Sequence, residues 1–488
     1  MRSGWRTRKL KEIATKIGSG STPRGGESVY KFSGVPLIRS MNVHFAGFKH
    51  DGLAYLDQQE AAKLNHVTVQ ANDVLLNITG ASIGRVTTAP ESLAGSRVNQ
   101  HVCIIRPTVD LSPRFLAHYL ASPAQQAQVM NVQVGVTRQA LTKTMIENWE
   151  IPLPALDEQR EIVAEIEKQF TRLEAGVAGL RRVQANLKRY RATILKAACE
   201  GKLVPTEAEL AREEGRSYET GAQLLERCLS KRSEKCGKGK FKETLILHIP
   251  RYPELPEGWV AASIETLCKI VDGDRGKEYP RKEDFLADGF CLFLNTKNVR
   301  PNGFRFDEKQ FISQEKNDRL RQGKLERGDI VVTSRGTIGN VALYDETVFY
   351  DCVRINSGMF ILREFGDVLD AKYFSWYLRS PAVAHQIENE RSGTAQPQLP
   401  IRDFRTFIIC FPCRPEQKRI VEEIERKLSV VDQLEAVVNA NLQRAARLRH
   451  SILQQAFEGK LLDTQRGSLA AGNSQEDDAQ HRTRLATE

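Results

Sequence analysis

Residues 194–204 read ILKAACEGKLV, and residues 452–462 read ILQQAFEGKLL. These two stretches, 258 residues apart, decide the fold, because each closes one copy of a repeated unit. The same spacing pairs Glu158-Gln159 with Glu416-Gln417, Ile162-Val163 with Ile420-Val421, Tyr119-Leu120 with Tyr377-Leu378, and Ser122-Pro123 with Ser380-Pro381. Upstream the spacing drifts: Asp73 answers Asp329 at 256 residues, and Gly4-Trp5 answers Gly258-Trp259 at 254. Residues 1–204 and about 254–462 are therefore two copies of one unit, altered by small insertions only in their first parts.

Each unit has two textures. Residues 1–150 and 259–408 carry short apolar runs, VPLIRS, DVLLNIT and VCIIRP in the first, CLFLNT, DIVVTS and MFILRE in the second. Glycine-rich turns bound these runs, which predicts strands. Helices are predicted over 113–130 and 370–389. The second texture, about 156–200 and 414–458, is helix without an internal proline.

The apolar positions of the first helix are Ile162, Ile166, Phe170, Leu173, Val177, Leu180, Leu187, Tyr190 and Ile194. Those of the second are Ile420, Ile424, Leu428, Val431, Leu434, Val438, Leu442, Ala445, Leu448 and Ile452. Steps of three and four residues make one narrow stripe, the seam of a coiled coil. Glu158 to Gly201 and Glu416 to Gly459 are equal in length, so each helix is the natural partner of the other. The alternative is two helices packed separately on their own domains. At 1.5 Å per residue each helix spans roughly 65 Å, a ruler between two diverged heads.

Composition bounds the class. The chain has 488 residues, about three domains by length. It is 41% hydrophobic and 27% charged, as globular proteins are. No run of 18 apolar residues exists, and the start MRSGWRTRKLKEIATK lacks the apolar core of a secretory signal. Nine irregularly spaced cysteines fit a reduced, cytoplasmic protein. Seventy-one Lys and Arg against 61 Asp and Glu leave a net charge of +10, which suits a polyanion partner. Within 171–204, Arg172, Arg181, Arg182, Lys188, Arg189, Arg191, Lys196 and Lys202 face only Glu174 and Glu200. That helix suits a phosphate backbone; its alternative is a solvated face.

Catalytic motifs are scarce. No NPPY-like tetrapeptide, no glycine-rich cofactor loop followed by an acid and no Walker A sequence occurs. Gly18-Ser19-Gly20-Ser21 reads as a turn after a strand, since no Gly-Lys-Ser/Thr follows. Cys410 and Cys413 form a lone CxxC pair, answered in the first copy by Pro152 and Ala155, so neither a metal nor a redox role is assigned. Trp149 answers Phe407, and both are expected in the core.

In order, GSGSTP (18–23), PLIRSMNV (36–43), DVLLNITGASIG (73–84), VNQHVCIIRP (98–107), IPLPALDEQREIV (151–163) and ILKAACEGKLV (194–204) resemble the specificity subunit of type I DNA restriction–modification enzymes. The second copy repeats them as DGDRG (272–276), LNTKNV (294–299), GDIVVTSRGTIG (328–339), INSGMFILR (355–363), SGTAQPQLP (392–400) and PEQKRIV (415–421). PTEAELAREEGRSYETGAQLLERCL (205–229) resembles the linker between repeats of that family. Two departures stand out: GVTRQALT (135–142) replaces SGTAQPQLP in the first copy, and CFPC replaces PLPA in the second.

The resemblance implies a mixed α/β (α+β) fold with pseudo-twofold symmetry. Two similar target recognition domains, 1–154 and 258–412, are separated by two long antiparallel coiled-coil helices, 155–204 and 413–462. A partly helical linker (205–257) joins the repeats, and a polar, disordered tail (463–488) ends the chain. Each domain is expected to read one half of an asymmetric, two-part duplex target, with the helices setting the unread gap. The chain itself is expected to be non-catalytic, with no cofactor and no membrane contact. Two methyltransferase subunits carrying S-adenosylmethionine, and restriction subunits using ATP and Mg, are the implied partners in an adenine-specific methyltransferase and deoxyribonuclease complex.

Base reading favours Arg for guanine and Asn or Gln for adenine, because those side chains bond bidentately to major-groove edges. The loops supply Arg39, Asn42, Arg97, Gln100, Arg138 and Gln139 in the first copy. They supply Lys297, Asn298, Arg335, Arg354, Gln396 and Gln398 in the second. Lys49, Lys282 and the basic helix would hold phosphates. The Thr79–Gly84 and Arg335–Gly339 loops would allow close backbone approach to DNA, with Arg335 aimed at a phosphate or base; the alternative is simple turn geometry.

Two other functions fit the pattern less fully: a protein-binding scaffold with two heads on a coiled coil, and an independent methyltransferase or nuclease. Salt separates the first of these from a DNA reader. Duplex affinity of the purified chain, measured by fluorescence anisotropy, should fall steeply between 50 and 200 mM salt; a scaffold has no duplex affinity to lose.

Overall fold

The apolar runs become strands because the sheet they build is covered on both faces. In the first repeat four antiparallel strands lie in the order Ala14–Ser19, Val102–Pro107, Val74–Asn77 and Val86–Thr88. Val74, Leu76, Cys103 and Ile105 point into one core cluster, and Leu75, Val102 and Ile104 into another. Side chains alternate across a strand, so only a sheet buried on both sides needs continuous apolar sequence. Over the second cluster lies a three-stranded sheet, Ala54–Leu56, Val35–Ile38 and Arg97–Val98, the last pair parallel.

The computed structural model describes residues 4–23, 25–131, 140–236, 255–365, 368–390 and 398–462. The expected disordered tail from 463 onward lies outside them. The second repeat has the same strand order: Cys268–Asp272, Met359–Glu364, Ile330–Thr333 and Val341–Leu343, with Phe311–Ile312, Cys291–Leu294 and Val353–Ile355 as the smaller sheet. In each repeat an opening strand pairs antiparallel with the strand that precedes the long helix: Arg6–Lys9 with Glu150–Leu153, and Val260–Ser263 with Ile408–Phe411. Trp149 and Phe407 are buried in the core, as the sequence indicates.

The predicted helices over 113–130 and 370–389 are each two helices. They run Pro113–Leu120 then Pro123–Asn131, and Ala371–Leu378 then Pro381–Asn389. The repeated Ser-Pro dipeptide is the break. Proline has no N–H to continue the ladder and is favoured at the first turn of a new helix. Ser122 and Ser380 close the preceding turn through their amides to Tyr119 and Tyr377.

Two 44-residue helices, Leu156–Cys199 and Arg414–Phe457, follow the domains. The chain divides into two compact units, residues 1–182 with 438–488, and residues 183–437. Each unit holds part of both helices, paired antiparallel. In the first, Ile162, Ile166 and Phe170 share a core with Ile452, Leu453, Ala456 and Phe457. Arg449 there bonds Glu174 (3.1 Å) and lies over the Phe170 ring. In the second, Arg191 pairs with Asp432 and Glu435. Most of the predicted stripe is buried, but Tyr190, Leu434 and Leu448 are about half exposed. A straight helix drifts from a heptad seam. Opposite Leu448, Gly176 brings no side chain to an open groove lined also by Leu173, Val177, Leu180 and Ala445. No described helix is long and apolar enough to cross a membrane.

The start of each long helix is fastened to its domain in the same way. Gln159 is fully buried; its Oε1 accepts the Ser112 amide (2.8 Å), and its Nε2 donates to the carbonyls of Asp110 (2.9 Å) and Pro154 (3.0 Å). Gln417 repeats this with Asp370, Val368 and Pro412. The indoles of Trp5 and Trp259 donate to Glu158 and Glu416. About two turns further, Arg114 pairs with Glu167 and Lys372 with Glu425, tying a domain helix to the long helix. After the first long helix, the linker forms helices Glu207–Glu214 and Gly221–Cys236. Buried Glu207 there pairs with Arg419 and Arg216.

Asp73 and Asp329, the repeat's matched acids, each bond an arginine through both oxygens: Arg106 at 2.7 and 2.8 Å, and Arg363 at 2.9 and 2.7 Å. Asp73→Ala strips a partly buried guanidinium of its partner and should cost roughly 3 kcal/mol in urea unfolding. Gly176→Ala has open space for its methyl group and should stabilise the same transition by up to about 1 kcal/mol.

Candidate nucleic-acid interface

At one end of the first four-stranded sheet, three turns converge. The strand Ala14–Ser19 ends at Gly20, whose amide bonds the Asn99 carbonyl at 3.2 Å. A Cβ at Gly20 would lie 1.7 Å from the Val98 carbonyl oxygen, so only glycine fits. The turn after it is thus held by close packing. It brings Thr22 to Gln100, whose Oε1 accepts the threonine hydroxyl. The next strand, Val74–Asn77, leads to Thr79, whose hydroxyl bonds His101 Nδ1. Gln100 Nε2 donates to His101 Nε2 at 3.0 Å, which leaves the ring proton on Nδ1 for Thr79. Thr79 also bridges Ala140, immediately after the segment 132–139.

The second repeat builds the same convergence from other residues. A Cβ at Gly273 would lie 2.1 Å from the Asn356 carbonyl oxygen. Two residues on, Arg275 Nη2 reaches the Ser357 carbonyl (3.4 Å) and Asp272 (3.1 Å). The strand Ile330–Thr333 leads to Arg335, whose amide bonds the Gly358 carbonyl at 3.3 Å and whose backbone bridges Gln398. Arg335 and Gln398 are exposed. Among the described residues the Arg335 guanidinium has no hydrogen-bonding or ionic partner.

Of the residues proposed from sequence, Gln100, Arg335 and Gln398 lie in these convergences. Arg138, Gln139 and Gln396 fall outside the described residues. Several others are committed to the protein itself, a correction to the sequence reading. Asn42 and Asn298 are buried; each accepts its own turn's amide, from Arg39 and Asn295, and donates to two carbonyls. Arg354 is 6% exposed and bonds Asn317, Gln322 and Leu320. Arg97 bonds the carbonyls of Ala61, Gly95 and Ser96 and the Asn65 side chain. Arg39 bonds the Gly52 carbonyl at 2.6 Å and lies over Tyr30. Buried polar groups must be satisfied, and a planar fork or carboxamide that fits a base edge fits a loop's carbonyls equally well. Lys297 is exposed and pairs with Glu308 at 2.8 Å.

Lys49, Lys282 and, on the first long helix, Arg172, Arg181, Arg182, Lys188 and Arg189 are exposed. Arg191 is drawn instead into its pair with Asp432. Sequence reasoning missed Thr22, His101 and Arg275 as contact residues, and named Thr79 only as the start of a loop. The signal available was position: each lies within three residues of a matched strand end. Burial pushes the Cys413 thiol up to about 11, and raises that of Cys410. Both stay protonated at neutral pH, the form that neither ligates metal nor attacks.

Residues 2–177 and 256–444 match the model of the type I restriction modification DNA specificity domain. The type I restriction enzyme EcoBI specificity subunit of Escherichia coli is 24% identical over 453 residues, covering 92% of this chain and 85% of its own length. The EcoKI specificity subunit of Escherichia coli strain K12 is 21% identical over 479 residues, covering 94% and 89%. A chain from a solved structure on complex assembly and conformational transition of the type I R-M system aligns with a TM-score of 0.62 at 21% identity, covering 94% of this chain and 99% of that one. The double strand order, the two long helices and this match over both repeats have one meaning: the chain belongs to the type I restriction modification DNA specificity domain family.

Proposed function

We propose that the chain is the specificity subunit of a type I restriction–modification complex. Each recognition domain reads one half of a split duplex target, and the paired helices set the unread gap between the halves. The observation that carries this reading is the repeated convergence of polar side chains at one sheet end, built on one skeleton from different residues. A shared skeleton gives two equivalent docking modes; different side chains give two different half-sites.

The chain supplies targeting, and chemistry belongs to its partners. Two methyltransferase subunits, each binding S-adenosylmethionine, methylate an adenine on each strand after turning the base out of the stack. Restriction subunits using ATP and Mg join for cleavage, and the complex works in the cytoplasm. Apolar residues left exposed on the long helices, Leu448 on one unit and Val430, Leu434 and Val437 on the other, support docking of helical partner surfaces there. Exposed arginines on the first helix support phosphate contact within the gap.

The gap tests the reading. Removing one heptad from both helices at facing positions shortens them by about 10 Å, or about three base pairs. The methylated motif should keep both half-sites and lose about three base pairs of gap. Removing the heptad from one helix alone should break its register with the other and abolish methylation. An unchanged gap after the paired deletion contradicts the role of the helices.

A further inference from the structure

The two repeats place different chemistry at the same sheet end. Thr22 and Arg275 each stand two residues beyond a glycine pressed against the facing backbone, and each reaches the same turn, Gln100 in the first repeat and Ser357 in the second. Thr79 and Arg335 each stand two residues beyond the same strand and form the same bridge, to Ala140 and Gln398. The first repeat thus carries an uncharged network of two hydroxyls, a carboxamide and an imidazole. The second carries Arg275, whose guanidinium reaches the Ser357 carbonyl and pairs with Asp272, and the exposed Arg335, whose amide bonds the Gly358 carbonyl, at a Ser357-Gly358 turn that adds almost no side chain.

Hydrogen-bonding capacity differs accordingly. A guanidinium offers donors only, which match the O6 and N7 acceptors of guanine and oppose the N6 donor of adenine. Gln100 spends one carboxamide proton on His101 and one Oε1 lone pair on Thr22. One donor and one acceptor remain, the pair that fits adenine N6 and N7. His101 and Thr22 hold that amide in a fixed orientation.

Resting on the DNA-reading role above, we infer that this sheet end sets the difference between the two half-sites. Arg335 takes a guanine in the second domain's half-site, and Gln100, oriented by His101 and Thr22, takes an adenine in the first domain's half-site.

The test is modified-base sequencing of DNA from cells that express the methyltransferase partner with the full chain, wild type or carrying Arg335→Ala, Arg335→Lys or Gln100→Ala. Arg335→Ala should admit other bases at one G·C pair of one half-site and lower methylation of the wild-type site at least about fivefold. Gln100→Ala should do the same at one A·T pair of the opposite half. Arg335→Lys keeps the charge without the fork; it should preserve methylation while relaxing the same G·C pair, which separates lost reading from lost folding. Unchanged motifs in all three variants, or changes in the same half, overturn the assignment. A wild-type chain that directs no methylated motif overturns the DNA-reading role and this assignment with it.

Discussion

A buried glutamine fastens each recognition domain to its long helix, and the proposed spacing role rests on that fixed joint. Gln159 and Gln417 are each the fourth residue of their helix, and each bonds one amide and two carbonyls of the domain and the segment leading into the helix. A spacer can set a gap only if the head cannot pivot on it. A neutral carboxamide does this inside the core without the desolvation cost of a charge, and all its partners are backbone, which substitution of neighbouring side chains does not remove. The indole–glutamate contacts and the ion pairs of Glu167 and Glu425 brace the same joint from its other sides.

Around that joint the two repeats keep their skeleton and change their surface. Strand order, the Ser-Pro helix break, the doubly bonded aspartates and the close-packed glycines recur. The side chains that flank the sheet ends do not, and uncharged Thr22 and Thr79 stand where Arg275 and Arg335 stand in the other copy. A sheet buried on both faces tolerates this freedom, because its stability resides in apolar side chains that the exposed turns do not touch.

Much of this was legible in the sequence. The Glu-Gln pairs at 158–159 and 416–417 stood out as repeat anchors, and they are the joint. The six apolar runs became strands because double-sided burial leaves a continuous apolar signature. The Ser-Pro pairs were visible as a match but were read through as helix, although proline marks the break. The site was less legible. Asn42, Asn298 and Arg354 have the residue types that read bases, yet local carbonyls claim them. Residue type alone does not separate a side chain that recognises its own loop from one that recognises DNA; only burial does. His101 gave no signal, since its role arises from Thr79, which is 22 positions away in sequence.

The most direct measurement is the methylome of the host with and without this gene, by modified-base long-read sequencing, with the methyltransferase partner present in both. A DNA specificity subunit predicts the loss of one adenine-methylated motif with two different half-sites and a fixed unread gap. A methylome that is the same with and without the gene, while the partner is expressed, contradicts it.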